Sequence, residues 1–374
     1  MIQVFREKTS LVKKVILKRS EPIKQHWSLM AFTFGFILDL FTLNRIDQRL
    51  DLGILLAHFS LITIWICLWH LNKSRKKKIQ KLTLFKRIAQ YAPIGIQFSF
   101  GALFSGFIIF YTKSASIWVS WPFLIVLYLL FFGNEKFRHF YRGLFFQISL
   151  YYFSLFTLLI FLLPVVLKKM GWIIFLLSGI ISLIIITIFL WFLIKTFHVI
   201  RGIDKTRVSL IIGGIYCFIT GLYFENIIPP IPLSLKTDGI YYDIYRNESL
   251  NYSTVGPKWS FWERFLPTQT VEKNPNQRIY YFSSIFAPTD LDTEIIHRWE
   301  LLNPITERWE RFYEKSYPIL GGRAKGYRGY TYLKNPPYGT WRVLLKTKRG
   351  QTLGIKKFYL VEPKDNLETE AKQF

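Results

Sequence analysis

The chain changes character at the hexapeptide Ile227-Ile228-Pro229-Pro230-Ile231-Pro232. Before this break, long apolar runs alternate with short basic loops, whereas after it no apolar run is long enough to cross a bilayer. A lipid core about 30 Å thick needs about 20 apolar residues per helix. Because proline fixes φ and prevents a helix from continuing, the break also ends the last span. The sequence therefore predicts a helical membrane domain followed by a domain exposed to water.

Seven stretches before the break meet this length requirement, which predicts a transmembrane helical bundle over residues 27–228. The whole chain is 51% hydrophobic, which is too apolar for one soluble domain of 374 residues. The predicted spans are Trp27–Leu43, Asp51–Leu71, Ile88–Tyr111, Ile117–Gly133, Gly143–Leu167, Trp172–Ile194 and Val208–Ile228.

The basic residues between the spans predict an orientation, because Lys and Arg are enriched in cytoplasmic loops. With the basic arm 1–26 in the cytoplasm, the inner segments hold 22 Lys and Arg residues and the outer loops hold five. Seven spans then place the rest of the chain on the other side of the membrane. We expect a multi-pass protein of a bacterial inner membrane, with a cytoplasmic N-terminus and a periplasmic C-terminal domain.

The formal net charge of +25 does not indicate a nucleic-acid-binding protein, because much of the charge flanks apolar runs and no nucleic-acid motif is present. The lipid bilayer is the expected partner instead. The two cysteines, Cys67 and Cys217, both lie in apolar runs, so the soluble domain folds without disulfides.

Ionisable residues inside membrane spans are candidate functional groups, because a charge in lipid is costly. Asp39 lies in the first predicted span, and Glu225 and Asn226 lie at the outer end of the seventh, with Arg45 in the following outer loop. These four residues form a predicted polar cluster for proton or substrate handling. The alternative is ordinary interfacial placement with an ion pair to Arg45.

After the break, residues 229–277 lack clear periodicity and are predicted to be an aromatic connector. Residues 278–363 show short alternating segments separated by turns, which predicts a small all-β, immunoglobulin-like sandwich. The clearest hairpin joins the strands on either side of Lys348-Arg349-Gly350. Residues 364–374 are polar and are predicted to form a mobile tail.

The β segment carries no metal-ligand spacing, nucleophile motif or phosphate-binding glycine loop, so we expect no metal, no cofactor and a binding role in preference to catalysis. Its histidine, His297, and the tryptophans Trp299 and Trp341 alternate with residues of the opposite face and are expected in the core. A tyrosine-rich segment set among Gly, Lys and Arg is the predicted exposed binding surface. Its residues are Tyr327, Arg328, Tyr330 and Tyr332.

Several short motifs resemble a bacterial family of unknown function, DUF2914. They are His297-Arg298-Trp299, Gly322-Arg323, Gly339-Thr340-Trp341-Arg342-Val343, Gly354 and Phe358. The stretches Phe98–Ser116 and Ile211–Pro232 are similar to the membrane part of such proteins. The resemblance implies a soluble domain at the C-terminus of a multi-spanning membrane protein, and it implies no activity. The motif residues His297, Arg298, Trp299, Gly339, Trp341 and Arg342 are interpreted as structural.

Three functions follow from these observations. The first is a non-catalytic scaffold whose sandwich binds an envelope protein or glycan while the membrane part anchors it and assembles with membrane protein partners through small-residue faces. The second is a transporter or a lipid- or glycan-processing protein that uses the polar residues of the spans. The third is a sensor that relays a signal to a separate cytoplasmic partner.

Overall fold

The computed structural model describes residues 36–37, 39–43, 49–73, 87–137, 139–197, 205–246, 252–263, 266–323, 326–363 and 367–374. They form two compact units, each considered by itself below. The first comprises Met1–Ile109, Leu127–Ile148 and Leu193–Arg201, and the second comprises Phe110–Val126, Ser149–Phe192 and Gly202–Phe374.

Within the described residues, six long helices precede the proline break, and each contains a stretch that is long and apolar enough to cross a membrane. They match the second to seventh predicted spans. The first predicted span, Trp27–Leu43, lies mostly outside the described residues, although residues 36–37 and 39–42 are helical. The helices are α1 (Arg49–Lys73), α2 (Ala92–Ser114), α3 (Ile117–Lys136), α4 (Leu144–Leu167), α5 (Trp172–Phe197) and α6 (Lys205–Phe224).

Small residues let α1 and α2 pack closely within the first unit. A Cβ atom on Gly106 would lie 2.4 Å from Leu55 Cδ2, and one on Gly95 would lie 2.3 Å from the Trp65 ring. These glycines leave room for side chains of the neighbouring helix, and such van der Waals packing stabilises helix pairs in lipid, where the hydrophobic effect does not drive association. In the second unit, α6 also carries small residues one turn apart, but its glycines Gly213 and Gly221 pack against no neighbouring helix among the described residues. Cβ atoms on these two glycines would meet no heavy atom of the described chain within 4 Å.

The C-terminal part of the second unit is all β, and its strands lie in three sheets. The sheet orders are β1-β5-β8, β4-β10-β9-β6-β7 and β11-β3-β2. The strands are β1 (Ser234–Tyr241), β2 (Asp243–Arg246), β3 (Tyr252–Pro257), β4 (Thr268–Glu272), β5 (Arg278–Phe286), β6 (Asp292–Leu302), β7 (Trp309–Leu320), β8 (Tyr327–Lys334), β9 (Gly339–Thr347), β10 (Thr352–Val361) and β11 (Thr369–Gln373).

The five-stranded sheet packs face to face on the sheet β1-β5-β8, which makes a sandwich with one main core. Trp299 of β6 and Trp341 of β9 are fully buried there, as their alternation predicts, and Tyr281 of β5 contacts Trp299 from the other sheet. The predicted hairpin is confirmed, since β9 and β10 pair antiparallel around a turn at Gly350, whose φ is +95°.

Two predicted segment assignments are corrected by the structure. The connector 229–277 contains strands β1 to β4. The connector lacks a period-2 pattern because a bulge interrupts β1 between Leu235 and Thr237, and because side chains on both faces of β1 are buried at its C-terminal end. Ile240 packs into the main core, whereas Tyr241 packs into a second apolar cluster with Phe282.

The predicted polar tail is the second correction. Residues 369–373 form β11, which pairs antiparallel with β3. A polar strand at a sheet edge is held by backbone hydrogen bonds. Because these bonds do not depend on apolar side chains, the hydropathy of the sequence does not reveal such a strand. Phe374 also packs on Phe282, with ring centroids 5.0 Å apart.

The proline break is a buried joint between α6 and the β domain. Arg349, in the β9–β10 turn, lies 3.5 Å from the Tyr223 ring and donates a hydrogen bond to the Tyr223 carbonyl at 3.0 Å. The Gln351 side chain donates to the Ile228 carbonyl at 3.2 Å. A helix leaves its last carbonyls without partners inside the helix, and here a guanidinium from the β domain binds one of them, while an amide binds a carbonyl of the segment that follows.

Candidate functional site

The predicted binding surface lies on β8, at the edge of the sheet β1-β5-β8. Strand alternation sends Tyr330 and Tyr332 to the outer face, where they are 43% and 39% exposed, and Arg328 shares this face. Tyr327 lies on the opposite face, half-buried, with its ring stacked 6.3 Å from Tyr317. The structure therefore brings together three of the four predicted residues and separates Tyr327 from them.

Three aromatic residues from other strands pack beside and below this surface. Tyr280 of β5 lies 5.2 Å from Tyr332 and 6.0 Å from Tyr330, and Tyr252 of β3 lies 6.2 Å from Tyr330. Phe282 is fully buried below them and lies 5.8 Å from Tyr252. The centroid separations are those of favourable tilted and edge-to-face aromatic pairs. The result is a continuous tyrosine row with a rigid apolar floor.

Guanidinium groups border the row. Arg278 lies 5.5 Å from the centroid of the Tyr332 ring, and Arg246 lies 5.9 Å from the Tyr252 ring. These are cation–π distances, and both arginines are exposed. We call the set Tyr252, Tyr280, Tyr330, Tyr332, Arg246, Arg278 and Arg328 the tyrosine face. It offers phenol hydroxyls, ring faces and fixed positive charge on neighbouring parts of the sheets β1-β5-β8 and β11-β3-β2.

The motif histidine lies in the main core and is fully buried. His297 Nε2 lies 2.9 Å from both Ser283 Oγ and Tyr317 Oη, and Nδ1 lies 3.1 Å from Thr331 Oγ1. Burial lowers the pKa of His297 to about 3, so the ring is neutral near pH 7. A neutral, enclosed and hydrogen-bonded imidazole cross-links the two sheets of the sandwich.

The other motif residues support the same sandwich. Arg298 pairs with Glu314 of β7, and Arg342 Nη2 lies 2.5 Å from Glu300 Oε2 of β6, so both arginines tie neighbouring strands of the outer face. The Trp341 indole donates to the Pro337 carbonyl at 2.9 Å. These contacts give the motif residues a structural role in the sandwich.

The same segment is what the comparison with protein families detects. Residues 292–360 match the model of a family described as a protein of unknown function, DUF2914. The predicted resemblance is confirmed for this stretch. The DUF2914 segment runs from β6 to β10 and supplies four of the five strands of the large sheet, together with β8.

Two solved structures are similar to the chain at a low level. An immunoglobulin-like protein from Pseudomonas aeruginosa is 11% identical, with 34% of this chain and 95% of that chain covered and a TM-score of 0.19. The alkylpurine DNA glycosylase AlkC of Pseudomonas fluorescens, bound to DNA, is 8% identical, with 85% and 99% covered and a TM-score of 0.22. No curated protein matches the chain.

The predicted intramembrane cluster divides between the two compact units. Asp39 belongs to the first unit, where its carboxylate accepts a hydrogen bond from Ser105 at 2.5 Å. Glu225 and Asn226 belong to the second unit, and Arg45 lies outside the described residues. The cluster therefore stays a prediction.

Asn226 has a structural role at the end of α6. Its φ is +57°, its N–H donates to the Tyr223 carbonyl, and the Ile227 N–H donates to the Leu222 carbonyl. This is the Schellman pattern, in which a left-handed residue ends a helix and satisfies its last carbonyls. Asparagine is one of the few non-glycine residues that adopts this conformation readily.

A buried polar network crosses one end of the helices of the first unit. His70 Nε2 lies 3.0 Å from Gln147 Oε1, and the Gln147 amide donates to the Tyr141 carbonyl at 2.6 Å. Tyr141 donates to Asn134, whose amide donates to the Gln97 carbonyl at 3.1 Å. His70 and Tyr141 are not marked by any sequence signal. The sequence offers one clue to this network, which is that the amide side chains of Gln97, Asn134 and Gln147 lie at similar depth in or next to three different predicted spans.

Proposed function

We propose that this chain is a membrane-anchored binding protein whose β domain recognises an envelope component through the tyrosine face. The observation that carries the proposal is the combination of exposure and rigidity in this face. Tyr330 and Tyr332 remain exposed although their neighbours Tyr280 and Phe282 are buried. Rigid aromatic side chains lose little conformational entropy on binding, and tyrosine and arginine are enriched among residues that dominate binding energy.

Of the two partner classes expected from the sequence, a protein surface fits the tyrosine face better than a glycan. The face extends over parts of two sheets, β1-β5-β8 and β11-β3-β2, and a protein surface is broad enough to cover it. Its border carries Arg246, Arg278 and Arg328. Complementary charge increases association rates and selects partners, so an acidic protein surface in the envelope is the favoured partner.

A membrane location is supported by the six apolar helices. We further propose that the β domain lies on the periplasmic side of a bacterial inner membrane. Support comes from the excess of Lys and Arg in the segments assigned to the cytoplasm and from the predicted first span. A reporter enzyme that is active only outside the cytoplasm, fused behind Phe374, is expected to be active. An active cytoplasmic reporter at the same position would contradict seven spans with this orientation.

The tyrosine face is tested by a photocrosslinking amino acid placed in the full-length protein in its native membrane. A crosslinker that replaces Tyr330 is expected to trap one protein in good yield. The matched control replaces Tyr359, which is 46% exposed on β10 of the other sheet, and is expected not to trap that protein.

Alanine variants extend this test. The double substitution Tyr330→Ala and Tyr332→Ala is expected to weaken binding of the trapped partner at least about 30-fold, since two dominant aromatic contacts each contribute about 1–2 kcal/mol. Tyr359→Ala is expected to leave affinity unchanged. Equal crosslinking from positions 330 and 359, or full affinity of the double variant, would rule out the tyrosine face as the binding surface.

The membrane-domain alternative draws less support from the structure. The network of His70, Gln147, Tyr141 and Asn134 is hydrogen-bonded within the protein, and all four side chains are buried. A satisfied and enclosed network stabilises a helix arrangement. It does not present a free group to a substrate, so the binding proposal is preferred.

A further inference from the structure

A groove of about 280 Å³ opens on the β domain at a different place from the tyrosine row. Its wall is built by parts of the chain that are distant in sequence. Asp238 comes from β1, Trp259 follows β3, Gln269 comes from β4, and Glu370 and Lys372 come from β11. Small-ligand pockets usually have about 300–1,000 Å³, so this groove suits a ligand of about one ring.

Asp238 is the most enclosed charged group of the groove. Its carboxylate accepts a hydrogen bond from Tyr281 Oη at 3.4 Å, and its neighbour Lys356 stabilises the charge. Enclosure by protein raises the pKa of the Asp238 carboxyl above its usual range, and Lys356 and Tyr281 oppose this effect. The side chain still retains partial contact with solvent, and Asp238 lines the groove. A carboxylate in this position is a strong acceptor for hydroxyl groups that enter from solvent.

Trp259 supplies an aromatic surface with a defined orientation. Its indole N–H donates to the Thr270 carbonyl at 3.2 Å, and Lys356 lies 5.9 Å from the ring. The ring is half-buried, so part of it stays available to a ligand. The negative π face of an indole attracts the partly positive C–H groups of a saturated ring.

The charges at the groove compensate one another. Lys372 Nζ lies 3.2 Å from Glu370 Oε2, and the ammonium group of Lys356, outside the lining, attracts the Asp238 carboxylate electrostatically. Two carboxylates are therefore matched by two ammonium groups. A groove with no excess charge favours a neutral ligand, because a charged ligand would leave one group uncompensated in an enclosed place.

We propose that this groove binds a neutral pyranose ring, as a free sugar or as one unit of a glycan. Asp238 and the Gln269 amide bind ring hydroxyls, and Trp259 stacks on the apolar side of the ring. Gly239 and Gly256 also line the groove, and the Tyr241 ring fills the space where their Cβ atoms would lie. This site shares no proposed contact residue with the tyrosine face, so each proposal can fail without the other.

The test uses full-length protein in lipid nanodiscs and a panel of D-glucose, D-galactose, D-mannose and N-acetyl-D-glucosamine. Saturation-transfer NMR and tryptophan fluorescence are expected to show saturable binding of at least one sugar. Trp259→Ala and Asp238→Asn are each expected to weaken that binding at least about 10-fold. The matched control is Trp262→Ala. It removes a 78% exposed indole that is close to Trp259 in the sequence but does not line the groove, and this variant is expected to bind normally.

Several outcomes would overturn the proposal. One is the absence of saturable binding for all four sugars by protein whose thermal unfolding is cooperative. Another is unchanged affinity in folded Trp259→Ala and Asp238→Asn variants. Saturable binding of spermidine in place of the sugars would identify a cation site. Sugar affinity that is lost in the Tyr330→Ala, Tyr332→Ala double variant would assign the sugar to the tyrosine face.

Discussion

Replacement of Trp299 by alanine is expected to lower the free energy of unfolding of the β domain by about 3–5 kcal/mol. Trp299 is fully buried, and its indole N–H donates to Thr331 Oγ1 at 2.9 Å. Its ring packs edge-to-face on Trp341 and Phe358, with centroids 6.4 and 6.3 Å away. Alanine would leave a large cavity and would also remove the donor that Thr331 accepts from, so both packing and the polar network weaken.

Thermal unfolding of the full-length protein in detergent, followed by near-ultraviolet circular dichroism, measures this effect. A domain of this size should lose about 10 °C in melting temperature for such a change in free energy. Trp262→Ala makes the same chemical substitution at a 78% exposed position and is expected to stay within about 2 °C of the unsubstituted protein. Equal melting temperatures for the Trp299 variant and this control would show that the sandwich core is placed incorrectly.

Replacement of Gly321 by alanine is expected to destabilise the β domain by at least about 3 kcal/mol, although it adds one methyl group. A Cβ atom on Gly321 would lie 1.7 Å from the Pro288 carbonyl oxygen and 2.9 Å from the Ala287 carbonyl oxygen. Both obstacles are backbone atoms, so no side-chain rotation relieves the overlap. The Gly321 N–H also donates to the Leu291 carbonyl at 2.9 Å, which holds the two segments together.

Gly214→Ala is the matched control for this prediction, because a Cβ there would meet no heavy atom of the described chain within 4 Å. Gly214 lies in α6, where alanine is the better helix former, so stability should be unchanged or slightly higher. The two variants are compared by chemical denaturation of the full-length protein. A Gly321→Ala variant as stable as Gly214→Ala would mean that residues 287–288 and 321 do not approach as closely as described.

Local sequence patterns were sufficient to predict the apolar helices and the strands in the second half of the sandwich. The span Trp172–Phe197 is recognisable because lipid requires a long unbroken apolar helix. The alternation of Ile295, His297 and Trp299 with Ile296, Arg298 and Glu300 assigns the two faces of β6, because a strand has period 2. The hairpin around Gly350 follows from the same period and its turn residues.

Local patterns failed where stability comes from partners distant in sequence. Residues 240–242 are buried on both faces and therefore show no alternation. Residues 369–373 are polar and become a strand through pairing with β3. Tyr327 and Tyr330 were predicted to share one surface, although residues three apart lie on opposite faces of a strand, as they do in β8.

Length and apolar content by themselves determined the two-part organisation of this protein, because the choice between lipid and water depends on the composition of each segment. The tyrosine face and the groove beside Asp238 were decided by tertiary structure. Tyr252, Tyr280 and Tyr330 meet through the registers of three strands, and Asp238, Trp259 and Glu370 meet only when β1, the segment after β3 and β11 converge. A binding site depends on distances between side chains, and sequence order does not specify those distances until the chain has folded.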